Sequence, residues 1–176
     1  MLRRTTRLLV KVCILFFLYS HQATALETSE AEKTTPIEIR SDAAEFDDTK
    51  GTATYHGHVE MIQDCKHLFS DQLVITRDNH NKIEKMIATG IPAFFFFQPD
   101  PNKPTVKGQA ETIQYFPKQE NIILLTNATL NQDSDTITGD HLTYSLKSRE
   151  LVAVPQPGKR TTIILGPQTK TSTSNH

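Results

Sequence analysis

His56 and His58 stand two residues apart, a spacing that puts both imidazoles on one face of a β-strand, as zinc ligands can be. Cys65 and His67 follow closely. No second Cys-x-x-Cys pair and no carboxylate set completes a ligand shell, so no metal is expected. The two histidines are read instead as part of a wet strand face shared with Thr52, Thr54 and Glu60. Asp42, Asp71, Glu111 and Asp140 form a second recurring set. Paired carboxylates can carry glycoside hydrolysis. Each of these acids stands just before a strand pattern, which favours a turn or strand-start role. The chain has no Gly-rich phosphate loop, no serine elbow and no H-E-x-x-H helix, so neither an enzyme nor a cofactor is expected. Asn127-Ala128-Thr129 is a formal glycosylation sequon, but it lies inside a predicted strand. Phe94 to Phe97 has two readings. It is a strand buried on both faces, the commoner fate of an apolar run, or it lines an apolar binding groove.

The elements that must position these residues start with Thr52 to Met61. Apolar or small residues alternate there with polar ones, which specifies a strand with one wet and one buried face. Sixty-nine positions later, Asn121 to Leu130 repeats the pattern without a gap. Ala53, Tyr55, Val59 and Met61 map onto Ile122, Leu124, Ala128 and Leu130. In the second copy Ile123 and Leu125 break the polar face, which predicts a strand covered on both sides or set against a partner. A hexapeptide recurs as well: small, acidic, any, apolar, any, bulky apolar. It appears as Ser41–Phe46, Ser70–Ile75, Ala110–Tyr115 and Gly139–Tyr144, with steps of 29, 40 and 29. The chain is therefore an internally duplicated plan whose units must stack to bury a shared apolar face.

The flanking segments are of another kind. Arg3, Arg4, Arg7 and Lys11 precede a short apolar run, Val12 to Tyr19, and then Ala23-Thr24-Ala25. That order reads as a secretory signal peptide, residues 1–25, cleaved after Ala25. The run is far short of the ~20 residues that cross a bilayer. Its loss leaves 15 Lys and Arg against 20 Asp and Glu, a mature net charge of −5. Such a balance gives no broad electrostatic reason to bind nucleic acid. Cys13 leaves with the signal, so Cys65 has no intrachain partner. Residues 26–35 read as a flexible polar leader and 168–176 as a disordered polar tail.

Between them, residues 36–167 read as one domain. Pro36 marks its start. Turns are expected at Asp47–Gly51, Asp64–His67, Asp78–Asn81 and Pro155–Gly158. Lys82 to Thr89 is read as a strand, although Ile83, Met86 and Ile87 also have helical spacing. Gly90-Ile91-Pro92 is expected to break the chain, and Pro99, Pro101 and Pro104 to form a loop outside any sheet interior. Leu151–Val154 and Thr161–Leu165 are the last strands. Ten or more short strands without a helix imply an all-β sandwich, roll or barrel.

Several stretches together resemble the OstA family of periplasmic lipopolysaccharide-transport proteins. Pro36-Ile37-Glu38-Ile39-Arg40-Ser41-Asp42 is similar to that family's opening strand, and Gly57-His58-Val59 to its G-N-V segment. Gly90-Ile91-Pro92-Ala93-Phe94-Phe95 resembles G-x-P-A-x-F, and Gly139 to Tyr144 resembles G-D-x-[IL]-x-Y. Gly158 to Leu165 resembles its G-K-R-x-T-T last strand, one residue shorter here. The resemblance implies an open, V-shaped β-jellyroll of antiparallel strands in the periplasm that receives lipopolysaccharide. It also implies end-to-end strand pairing with further copies, with an LptC-like inner-membrane protein and with an LptD-like outer-membrane protein. The inward-facing set expected to line the lipid groove is Ile37, Ile39, Phe46, Tyr55, Val59, Leu73, Ile75, Phe95, Ile113, Tyr115 and Leu124. Of these, Ile37, Ile39, Phe95 and Leu124 match the family's lipid-contacting strands. Two other readings stand beside the carrier: an LptC-like subunit that keeps its N-terminal anchor, and a lipid-free β-scaffold of envelope assembly.

Overall fold

The computed structural model describes residues 35–98, 102 and 104–167. The signal, most of the leader and the tail lie outside them. Ten strands and no helix occur among the described residues: β1 (Glu38–Arg40), β2 (Ala43–Asp47), β3 (Thr52–Gln63), β4 (Lys66–Arg77), β5 (Ile83–Phe97), β6 (Val106–Phe116), β7 (Asn121–Gln132), β8 (Asp135–Ser145), β9 (Leu151–Ala153) and β10 (Thr162–Ile164). All the pairings are antiparallel, mostly hairpin to hairpin. Six of the strands are 11 to 15 residues long, not short as the sequence suggested.

Each long strand is bent near its middle, and this bend organises the molecule. Between His56 and Val59, β3 has two residues where β4 has one. The same excess occurs in β7 against β8, between Leu125 and Ala128. β5 carries Gly90-Ile91-Pro92, with a cis bond before the proline, opposite Glu111 alone. Extra residues on one strand lengthen one side of the ladder, so the strand bends. In β3 and β7 both extra residues have positive φ: Gly57 (74°) and His58 (45°), then Thr126 (65°) and Asn127 (54°). Gly90-Ile91-Pro92 therefore does not break the chain; β5 runs straight through it.

The row of bends divides the sheet into two leaves. One carries the β1 and β10 edges and the other the β2 and β9 edges. They are two faces of one folded sheet, an open β-jellyroll, and their inner surfaces meet. A Cβ added to Gly108 on the first leaf would lie 3.0 Å from Leu124 Cδ2 on the second. The inner face is built of complete cross-strand rows. On the β1 leaf, Ile39, Met61, Leu68, Phe95, Gly108, Leu130, Ile137 and Ile163 are successive partners. On the β2 leaf, Phe46, Ala53, Ile75, Met86, Tyr115, Ile122, Tyr144 and Leu151 make another.

The recurring hexapeptide now has a physical meaning. Its small residue (Ser41, Ser70, Ala110, Gly139) falls at the bend, where the converging leaves leave little room. Its apolar and bulky positions supply the inner rows of the β2 leaf. Its acid does not start a strand, contrary to the sequence reading. Asp71, Glu111 and Asp140 lie mid-strand, at the register shifts. Only Asp42 stands between strands, where the edge strand is interrupted and its N–H bonds both His56 O and Gly57 O at 3.0 Å.

Candidate functional site

The proposed groove residues are brought together by strand parity. Val59, Leu73, Ile75, Phe95, Ile113, Tyr115 and Leu124 are buried, and Ile37, Ile39 and Tyr55 pack partly buried against them. Phe46 has the inward parity but belongs to the edge strand β2, so it is 67% exposed. It meets Tyr55 edge-on, with ring centroids 6.0 Å apart.

Where the leaves face each other they enclose a narrow apolar slot. Phe95, Ile113 and Tyr115 of the expected set line it, together with Met61, Leu68, Phe97, Ile122 and Leu146. Its free volume is about 20 Å³, room for one water. Burial pushes the Tyr115 phenol up to about 12, with a smaller contribution from the Glu120 charge. Met61 and Ile122 were visible in the repeat but had no place in the expected lining. Leu146 lies in a hairpin, outside any alternating pattern.

Phe94 to Phe97 is not buried on both faces. Phe95 and Phe97 enter the core, while Phe94 and Phe96 turn outward and stay half-buried. The alternation of a pleated strand separates four identical side chains onto two surfaces. Outside, Phe96 meets His67 edge-on at 5.8 Å, and Phe94 meets Phe69 at 6.5 Å. His67 and Lys66 belong to β4, so the turn is shorter than expected and centres on Asp64-Cys65. Burial also raises the Cys65 thiol.

The polar residues have structural partners. Asp42 Oδ2 lies 2.7 Å from His58 Nδ1 on the outside of the bend. His56 faces Gln72, its cross-strand neighbour, at 3.4 Å. Asn127 of the sequon donates to Glu111 Oε1 at 2.6 Å, and Ala128 beside it is buried. Lys159 approaches Asp140 at 3.3 Å. No group of three metal-ligating side chains occurs among the described residues. The arrangement is a bent antiparallel sheet with an apolar interior and apolar residues at its margins, a binding fold.

Comparison with known proteins gives this class a family. Residues 38–150 match the model described as LptA/(LptD N-terminal domain) LPS transport protein. The lipopolysaccharide export system protein LptH of Pseudomonas aeruginosa is 29% identical over 160 residues, covering 87% of this chain and 90% of its own. The lipopolysaccharide export system protein LptA of Escherichia coli K12 is 33% identical over 133 residues, covering 75% and 71%. The crystal structure of LptH, described as the LptA-homologous periplasmic component of the lipopolysaccharide transport device of P. aeruginosa, superposes with a TM-score of 0.69. It is 28% identical and covers 76% of this chain and 96% of that one. The chain belongs to the LptA/LptD N-terminal domain family of lipopolysaccharide transport proteins.

Proposed function

We propose that the protein is a non-enzymatic periplasmic carrier and bridge, which holds the acyl chains of lipopolysaccharide between its leaves and passes the lipid toward the outer membrane. The observation that carries the reading is the continuity of the inner apolar rows from one sheet edge to the other. The β2-leaf row runs from exposed Phe46 to half-buried Leu151, and the β1-leaf row from half-buried Ile39 to exposed Ile163, which Ile164 and Leu165 follow, also exposed. An acyl chain of about a dozen methylenes costs on the order of 10 kcal/mol to expose to water. One exposed end on each row, at opposite edges of the sheet, lets that cover continue into a neighbouring molecule. The slot is too small for such a chain as it stands, so loading parts the leaves.

The edges support the bridging half of the proposal. β1 and β2 pair only with β3, and β9 and β10 only with β8, among the described residues. Their free N–H and C=O groups are fit for strand addition. Head-to-tail pairing of a β9/β10 edge with the β1/β2 edge of another copy, of an LptC-like protein or of an LptD-like protein extends the sheet without closing a ring. Signal cleavage after Ala25 frees the carrier from the inner membrane. A mature N-terminus at Leu26, found by mass spectrometry, supports this; an intact Met1 supports the anchored subunit instead.

Photo-crosslinkers at Ile37, Phe95 and Leu124 test the groove in cells. Lipopolysaccharide adducts are expected at all three and not at outward Thr54 or Glu60. Equal labelling at the inward and outward positions sinks the carrier reading and leaves the scaffold.

A further inference from the structure

The apolar slot accounts for the greasy part of a lipid, yet two buried polar groups beside it have no work. Tyr144 has no exposed surface, and its hydroxyl has no hydrogen-bond partner. Arg149, in the hairpin after β8, donates from Nη2 to the Pro104 carbonyl at 3.3 Å. Its Nη1 is buried without a partner. Among the described residues the one further orphan of this kind is Ser70 Oγ, at the bend. An unmet donor in a low-dielectric setting is destabilising, and more so on a charged group. Orphaned groups in a native fold call for an explanation.

Their location supplies one. Tyr144 stands in the row of the β2 leaf farther from the bend, between Ile122 and Leu151, and next to the hairpin that carries Leu146 and Arg149. Leu146 lines the slot together with Lys66 and Phe97 of the opposite leaf. Pro104, which Arg149 reaches, precedes β6 on that opposite leaf. Arg149 thus reaches from the hairpin of one leaf to the start of β6 on the other, three residues on from Leu146 in the slot wall and five on from Tyr144. The two side chains sense each other: the guanidinium works against the burial that raises the Tyr144 phenol, and Asp133 works with it. Arg149 forms no ion pair among the described residues.

We propose that Tyr144 and Arg149 form a subsite for a phosphate-type oxyanion at the mouth of the slot, and that its ligand is the phosphorylated headgroup of the lipid held there. The identity of the ligand rests on the carrier reading. A tetrahedral phosphate accepts from several donors at once, and a tyrosine hydroxyl and one arm of a guanidinium are donors of the kind it takes. Arginine suits the task because its fork keeps one nitrogen on Pro104 while the other meets the ligand. Seating the anion gives the orphaned Nη1 an acceptor and ties the two leaves over a loaded lipid.

The test uses the mature chain and two fluorescent lipids, bis-phosphorylated lipid A and the same lipid without phosphates. Wild-type protein is expected to bind the phosphorylated form about tenfold or more tightly, the scale of a hydrogen bond to a charged group. Arg149→Gln removes that preference, Arg149→Lys keeps part of it, and Tyr144→Phe reduces it. Tyr144→Phe keeps the ring and deletes only the orphan, so its melting temperature stays level or rises, and it decides the matter even if Arg149→Gln fails to fold. Equal affinity of wild type for the two lipids, or variants that weaken both alike, overturns the subsite and leaves the carrier standing. Binding of neither lipid overturns both. Inorganic phosphate at millimolar concentration is the last arm: saturable binding that depends on Arg149 without any lipid preference reassigns the site to free phosphate and overturns the headgroup claim.

Discussion

In the first half of the chain Asp42 meets His58 at 2.7 Å. Sixty-nine positions further on, Asn127 donates to Glu111 at 2.6 Å. The two clasps occupy the same place in the two copies, bridging a two-residue bulge to its neighbour across the bend. Their settings differ. The first lies next to the interrupted edge of the sheet, between β1 and β2; the second lies inside it, with β5 and β6 on one side and β8 on the other. The inner faces differ in the same sense: Tyr55 is half-buried where its counterpart Leu124 has no exposed surface. The outer faces differ in residue type, with polar Thr54 and His56 opposed to apolar Ile123 and Leu125, all four half-buried. Duplication fixed the backbone plan, and position in the sheet chose the side chains. A margin must stay polar and charged enough to avoid indiscriminate strand pairing, which an interior strand need not do.

The largest expected contrast is in core packing. Leu124→Ala empties a site enclosed by both leaves and should cost about 2–5 kcal/mol. Tyr55→Ala removes a larger side chain that keeps part of its surface in water, and should cost roughly 1–2 kcal/mol. Urea unfolding of both variants measures the difference. Equal losses would mean that the edge copy is as tightly packed as the interior one, and that position does not set the choice of residue.

The backbone of the two bulges gives the next contrast. Gly57 and Thr126 hold equivalent positions at φ 74° and 65°. At the first, an added Cβ would run into the Asp42 carboxylate. Gly57→Ala is therefore expected to cost about 1–3 kcal/mol, from left-handed strain and a broken clasp together. At the second, a β-branched residue already endures that conformation. Thr126→Gly should relieve it and stabilise by up to about 1 kcal/mol, less the unfolded-state entropy that glycine adds. A loss of stability in Thr126→Gly would show that the threonine side chain contributes more than its strain removes.

The bends were the part of the fold that the sequence concealed, for a definite reason. A bulge of two residues leaves parity unchanged, so Ala53, Tyr55, Val59 and Met61 read as one unbroken alternation although Gly57 and His58 turn the strand between them. The same parity made the inner face legible, because burial follows period two on either side of the bend. The hexapeptide was also legible as a pattern, while its acid was misread: a carboxylate before apolar residues looks like a strand start when the strand is assumed short. Phe94 to Phe97 failed in the opposite way, since four identical residues hide the alternation that separates them. Tyr144 was legible as the bulky position of the hexapeptide, but its link to Arg149 gave no signal. Their relation depends on one leaf folding over the other, which no local spacing encodes.

The smallest expected effect separates the two clasps by titration. Asp42, by hydrogen bond and then by charge, holds the His58 imidazole above its ordinary 6.5, with a slight further push from Asp71. A raised folded-state value stabilises the protein fully below the unfolded value, and that contribution fades as pH rises through the folded one. Wild type should therefore lose a little stability between about pH 6 and pH 8 through this group. The effect is small because the His58 side chain is 92% exposed and the pair is screened by solvent. Asn127 has no such proton, so the second clasp keeps its donor throughout that range. His58→Asn makes the first bend like the second and should flatten the pH dependence of the melting temperature; Asn127→His, beside Glu111, should add a new slope of the same sign. If His58→Asn leaves the slope intact, another group titrates in that window and the chemical distinction between the bends has no energetic consequence. If it flattens the slope, the edge copy differs from its interior twin in being able to feel pH.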